Sequence, residues 1–240
     1  MTRREEISEN LSNVQERIEG ACISSSRSSS EVTLIAVTKN FPAEDARVLH
    51  DLGVRNFGEN RDREGALKSE SLPGDSFWHF QGQIQGRKIN SIASWSDCIH
   101  SLRSIDHARK FDSLLQEGEK LESPAGAVGR VKDFFVQVNF EPTRDDRGGV
   151  AHSQLEPFLE ELHNHTKIRP LGLMMVAPLG VDSSQTFEEL HAIQMELVTS
   201  FPTLVKLSMG MSGDFEGAIR AGATHIRIGS SILGSRGLPA

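Results

Sequence analysis

The chain contains no tyrosine, so no phenolic acid or base can come from these 240 residues. Its only two cysteines, Cys22 and Cys98, are far apart and neither belongs to a CxxC pair. A disulfide framework is therefore not expected, and a reducing cytoplasm is the natural setting. No apolar run approaches the roughly 20 residues of a membrane-spanning helix. The opening Met1-Thr2-Arg3-Arg4-Glu5-Glu6 is charged and no apolar segment follows it, which argues against a secretory signal. Net charge is -7, so a general nucleic-acid-binding surface is not expected. Histidine, cysteine and carboxylate nowhere fall at metal-ligand spacing, so no metal is assigned. The phosphate-loop pattern GxxxxGK[ST] is missing as well, which excludes that kind of nucleotide site.

What is present is a rhythm. Ile7, Leu11, Val14 and Ile18 mark an N-terminal helix that Gly20 is suited to end. The tract Ser24 to Ser30 reads as a mobile polar connector. Strand-like apolar runs then follow at residues 32–38, 54–58, 76–81, 97–102, 133–139, 169–176, 203–209 and 225–229, with helix-period segments between them. Eight such units in 240 residues predict one (β/α)₈ barrel spanning residues 1–240, with residues 1–30 as an added helix and connector. An open doubly wound sheet is the competing α/β arrangement. The stretch from Gly118 to Gly129 reads as a surface excursion.

In such a barrel, chemistry belongs at the carboxyl ends of the strands. The first run ends at Lys39, a primary amine available to a carbonyl carbon. The second ends Gly58-Glu59-Asn60 and the third carries Trp78-His79-Phe80-Gln81-Gly82. Taken alone, His79 reads as a core residue and Asn60 as a helix cap. The seventh run ends Ser208-Met209-Gly210-Met211-Ser212-Gly213, and the eighth carries Arg227-Ile228-Gly229-Ser230. Loops after the last two strands of these barrels often hold phosphate, through glycine backbone and serine hydroxyls. Strand alternation puts Arg227 and Gly229 on one face, and an arginine near a barrel interior needs a partner. A strand-end lysine, a phosphate cradle and an adjacent arginine suit pyridoxal 5′-phosphate. A barrel aldolase acting on a sugar phosphate would use the same set.

The segments Leu34-Ile35-Ala36-Val37-Thr38-Lys39, Phe57-Gly58-Glu59-Asn60, Trp78 to Gly82, Gly172-Leu173-Met174, Leu207 to Ser212 and Ile226-Arg227-Ile228-Gly229 occur in that order over residues 32–236. Together they resemble the pyridoxal phosphate homeostasis protein family. The resemblance implies a TIM barrel of the alanine racemase N-terminal type, pyridoxal phosphate fold type III. It implies that Lys39 holds the cofactor as an internal aldimine, that Arg227 approaches the pyridine nitrogen, and that Asn60 and His79 line the pocket. Ser208, Met209, Gly210, Met211, Ser212, Gly229 and Ser230 are implied to hold the phosphate.

The implied function is to buffer or deliver the cofactor to apo-enzymes in intracellular vitamin B6 homeostasis, as a cytoplasmic monomer. A low-activity amino-acid racemase is the alternative. An arginine beside the ring nitrogen disfavours its protonation and weakens the ring as an electron sink. Alanine racemase compensates with a tyrosine from a second domain, and neither is expected here. Arg147-Gly148-Gly149 stands where the family has lysine-x-glycine, and Arg87 stands before Lys88 where it has asparagine. The Met174-Met175 pair is bulkier than usual.

Overall fold

The computed structural model describes residues 1–118, 131–140, 148–178, 180 and 182–234. The Gly118 to Gly129 excursion and Arg147 therefore lie largely outside the described residues. Helix α1 (Arg3–Ser24) precedes β1 (Thr33–Val37), α2 (Ala43–Asp51), β2 (Asn56–Glu59), α3 (Asp62–Ser71), β3 (Phe77–Phe80), α4 (Ile89–Trp95), β4 (Cys98–Leu102) and α5 (Ile105–Glu117). There follow β5 (Lys132–Asn139), the two-residue β6 (Val150–Ala151), α6 (Leu155–His163), β7 (Ile168–Met174), α7 (Ser183–Leu197), β8 (Lys206–Met211), α8 (Phe215–Arg220), β9 (His225–Ile228) and α9 (Ser230–Leu233).

All strand pairs are parallel, in the order β4-β3-β2-β1-β9-β8-β7-β5. Pairing of β4 with β5 closes the sheet into an eight-stranded barrel, and β6 adds only a short edge to β5. The seventh and eighth apolar runs of the sequence are β8 and β9. Closure rules out the open sheet. It also removes the strand edges that a parallel sheet would otherwise leave exposed.

Alternation divides the core into two parts. Ala36, Phe57, Trp78, Ile99, Phe134, Leu173, Leu207 and Ile226 belong to the large apolar layer between strands and helices. Cys98, Phe135 and Met174 form a separate small cluster, with Leu171 packed against it.

Two expectations near the N-terminus are corrected. Helix α1 does not stop at Gly20. It continues to Ser24 because Ala21 and Cys22 are buried, and burying that last turn outweighs the glycine's weak helix propensity. The serine tract is not a free linker. Arg27 donates from Nη1 to the carbonyl oxygens of Ile219 and Ala223 at 2.7 and 2.8 Å, and Ser28 caps a short 3₁₀ turn. Among the described residues, no helix is long and apolar enough to cross a membrane.

Candidate functional site

At the carboxyl end of the barrel lies a cavity of about 460 Å³, the size of a small-molecule site. Lys39, Asn60, Met211, Ser212, Arg227, Gly229 and Ser230 all line it, so the structure brings together seven of the residues singled out from sequence. Val37, Phe41, Gln81, Met174, Val176, Gly213 and Gly234 complete the wall. Met174 thus does shape the pocket, as its bulk suggests.

Lys39 leaves β1 on a turn that is fixed from below. Lys68 donates to the carbonyl of Thr38 at 2.7 Å and to Glu59 Oε1 at 2.6 Å. The Thr38 hydroxyl donates to the same carboxylate oxygen at 2.6 Å. Asn40 takes a left-handed φ of 61°, which asparagine tolerates better than most residues, and its N–H donates to Glu64 Oε2 at 2.8 Å. Burial pushes the Glu59 carboxyl upward, opposed by Lys68 and by the Thr38 hydroxyl. The turn carrying Lys39 is therefore held on both sides, at the wall of the cavity. No single segment of the chain reveals this clamp. Its one local signal is the helical i, i+4 spacing of Glu64 and Lys68.

Arg227 is buried and forms no ion pair with a carboxylate among the described residues. Nη1 donates to the carbonyl and the hydroxyl of Ser208, both at 2.8 Å, and Nη2 donates to the carbonyl of Met175 at 2.7 Å. Burial lowers the guanidinium to about 10, opposed by Asp214, so it remains charged at neutral pH. Its expected partner is thus main-chain and hydroxyl oxygen, with a net positive charge left to face the cavity.

Four sequence-derived site residues need correction. Ser208 does not reach the cavity: its hydroxyl is fully buried and taken by Arg227 and, at 2.8 Å, by His100 Nδ1. Met209 packs into the outer apolar layer. Gly210 has φ 91°, and a Cβ there would come within 2.6 Å of Ala218 Cβ, so it serves the packing of α8. His79 lies beneath the cavity, not on its wall. Its Nδ1 is 2.8 Å from His100 Nε2 and its Nε2 is 3.1 Å from Asn56 Oδ1. Asn60, by contrast, does not cap α3, whose cap position is Arg61.

These contacts form one chain with a single consistent direction. Arg227 can only donate to Ser208, and Asn56 Oδ1 can only accept. Ser208 therefore donates to His100, His100 donates from Nε2 to His79, and His79 donates from Nε2 to Asn56. Both imidazoles are neutral in this arrangement. Burial holds both well below the usual histidine range, aided by His225 beside His79 and by His79, His225 and Arg227 around His100. The ligand atoms of His79, Cys98 and His100 lie within 4.8 Å of one another, a grouping their sequence spacing does not reveal. All four ring nitrogens of the two histidines are already engaged in the chain, so the trio is a polar core and not a ready metal site.

The serine- and glycine-rich side of the cavity is built from the ends of β8 and β9. Ser212 accepts at Oγ from the N–H groups of Gly229 and Ser231, at 3.3 and 3.4 Å, and so ties the two loops together. A Cβ on Gly229 would stand 3.0 Å from the carbonyl oxygen of Val37, so only glycine lets these backbones approach comfortably. On the opposite wall, Asn60 Oδ1 and Gln81 Nε2 are buried without a hydrogen-bond partner. Buried polar atoms are normally paired, so these two point to a ligand. Amine, guanidinium, hydroxyl loop and unpartnered amides around one cavity fit pyridoxal 5′-phosphate.

The fold and the lysine-containing cavity define the class: a barrel of the alanine racemase N-terminal domain type, whose sequence profile matches residues 4–237. The chain is 36% identical over 228 residues to the pyridoxal phosphate homeostasis protein of Corynebacterium glutamicum, covering 94% of this chain and 100% of that one. It superposes with a TM-score of 0.80 on PipY of Synechococcus elongatus, at 32% identity, covering 95% of this chain and 100% of PipY, in a structure that has pyridoxal phosphate bound. Alanine racemase of Clostridium difficile shares the fold with a TM-score of 0.72 at 13% identity; the match covers 97% of this chain and 57% of the racemase. The chain belongs to the pyridoxal phosphate homeostasis protein family.

Proposed function

We propose that this protein binds pyridoxal 5′-phosphate in the barrel-mouth cavity and holds it reversibly, as a carrier that buffers the cofactor and passes it to apo-enzymes. One observation supports the carrier role most strongly. Among the described residues lining the cavity, Lys39 and Arg227 are the only side chains with a titratable group. A racemase or transaminase needs acid–base groups positioned at the substrate carbon. Here tyrosine is missing from the sequence, and the nearby histidines are locked beneath the floor in a hydrogen-bonded chain.

When bound, the cofactor supplies an aldehyde that condenses with a primary amine with loss of one water. Lys39 is the amine for that bond, and the Glu59–Lys68–Glu64 clamp holds its backbone in place. Ser212, Gly213, Gly229 and Ser230 offer small side chains, hydroxyls and backbone to the phosphate. Arg227 presents a fixed positive charge to the ring, which disfavours protonation of a nearby pyridine nitrogen. The ring would then be a weaker electron sink, which would disfavour carbanion chemistry on a bound cofactor. One copy of the chain closes the barrel and supplies the residues lining the cavity, which suits a monomer.

The test is an absorbance titration. The protein with pyridoxal 5′-phosphate should develop the visible band of a lysine Schiff base, and Lys39→Ala should not. The same holo-protein should show no deuterium exchange at Cα across a panel of amino acids. A protein that develops no band contradicts the binding role, and exchange at turnover rates contradicts the carrier role.

A further inference from the structure

The two unpartnered amides lie on the opposite side of Lys39 from the phosphate loops. Around the barrel the order is β3-β2-β1-β9-β8. Gln81 follows β3, Asn60 follows β2, Lys39 follows β1, and the serine–glycine loops follow β9 and β8. The substituents of pyridoxal 5′-phosphate also have a fixed order: the aldehyde carbon stands between the phosphomethyl arm and the phenolic oxygen. With the arm at the β8–β9 loops and the aldehyde at Lys39, the phenolic oxygen is left facing the β2–β3 side.

We infer that Gln81, with Asn60, recognises the phenolic oxygen of the cofactor ring and makes the cavity selective for a 3-hydroxylated pyridine aldehyde. This rests on the pyridoxal phosphate reading of the cavity. Gln81 Nε2 is a buried donor and Asn60 Oδ1 a buried acceptor, each lacking a partner. A hydroxyl can give one hydrogen bond and accept another, and its ionised form accepts from Gln81 alone. Space for the glutamine is provided by Gly58: a Cβ there would stand 2.9 Å from Gln81 Nε2 and 3.0 Å from Oε1. Gln81 is therefore a specificity residue for the ligand and not a packing residue, because an apolar side chain of the same length would fill the same room without stranding a donor.

The experiment compares pyridoxal 5′-phosphate with its 3-deoxy analogue on the full chain, wild type and Gln81→Met. Methionine keeps the length and removes the donor. Uptake is read by fluorescence titration, and the fold by thermal melting without ligand. Gln81→Met should weaken pyridoxal 5′-phosphate about tenfold or more, the effect of losing a hydrogen bond to a charged oxygen, and leave the 3-deoxy analogue unchanged. The ligand-free melting temperature should not fall, since the substitution removes an unpaired buried donor. Equal weakening of both ligands, or of neither, overturns the role of Gln81 while leaving the cofactor reading intact. Failure of wild type to take up either ligand overturns both.

Discussion

Arg227 Nη1 donates to the hydroxyl of Ser208 across 2.8 Å, and that contact divides the serines of the site into two kinds. Ser208 holds the arginine from below, whereas Ser212 and Ser230 line the cavity. Ser208→Ala removes an acceptor from the arginine and a donor from His100, and should lower stability by about 1–3 kcal/mol in urea denaturation. It should leave the preference for pyridoxal phosphate over unphosphorylated pyridoxal nearly intact. Ser212→Ala should cut that preference about tenfold, since a charge-assisted bond and the tie between the loops are both lost.

The clamp under Lys39 gives a second expectation. Lys68→Met strands the buried Glu59 carboxylate and should cost about 3–5 kcal/mol of stability. Adding Glu59→Gln should recover most of that loss, because the stranded charge is gone. Denaturation of the two variants checks this. A single variant as stable as wild type would show that the pair is not buried as described.

Acid should weaken the fold in a defined window. Burial lowers His225 to about 4 and holds His79 and His100 well below the usual histidine range. The unfolded chain takes up protons at these sites near pH 6.5, and the folded chain does not until each lowered value is reached. Their stability contribution is therefore complete above about pH 6.5 and lost as pH falls. By pH 5, His225 alone accounts for about 2 kcal/mol of lost stability. Urea midpoints measured from pH 7.5 to pH 5 should fall steadily, and a flat profile would contradict the neutral histidine chain.

Gly58→Ala should push Gln81 or Ile35 out of place, because the added methyl would lie at 2.9–3.0 Å from both. A loss of about 1–3 kcal/mol is expected from the overpacking. Affinity for pyridoxal 5′-phosphate should fall as well, which a fluorescence titration reads directly.

Much of this architecture is legible in the chain. Every apolar run overlaps a barrel strand, since β-branched segments bounded by turn residues can be buried on both faces only in a closed or covered parallel sheet. Lys39, Asn60, Arg227, Ser212 and the Gly229-Ser230 pair are legible because they occupy strand ends, where only loops and ligands are neighbours. The misplacements share one cause, depth along the strand. Inward-facing residues recur every second position, but only the outermost meets the cavity. Gln81 is outermost on its segment and His79 lies two residues below it. Likewise β8 runs to Met211, two residues past its apolar run, which sinks Ser208 beneath the floor. The clamp on Thr38 and Asn40 was not legible, because it joins β1, β2 and α3 through contacts that no single segment displays.

The most direct test of the central claim is borohydride reduction of the protein with pyridoxal 5′-phosphate, followed by peptide mass mapping. Lys39 should carry the reduced cofactor in near-stoichiometric amount, with Lys68 unmodified. Modification spread over surface lysines, or concentrated on any lysine other than Lys39, would contradict the account.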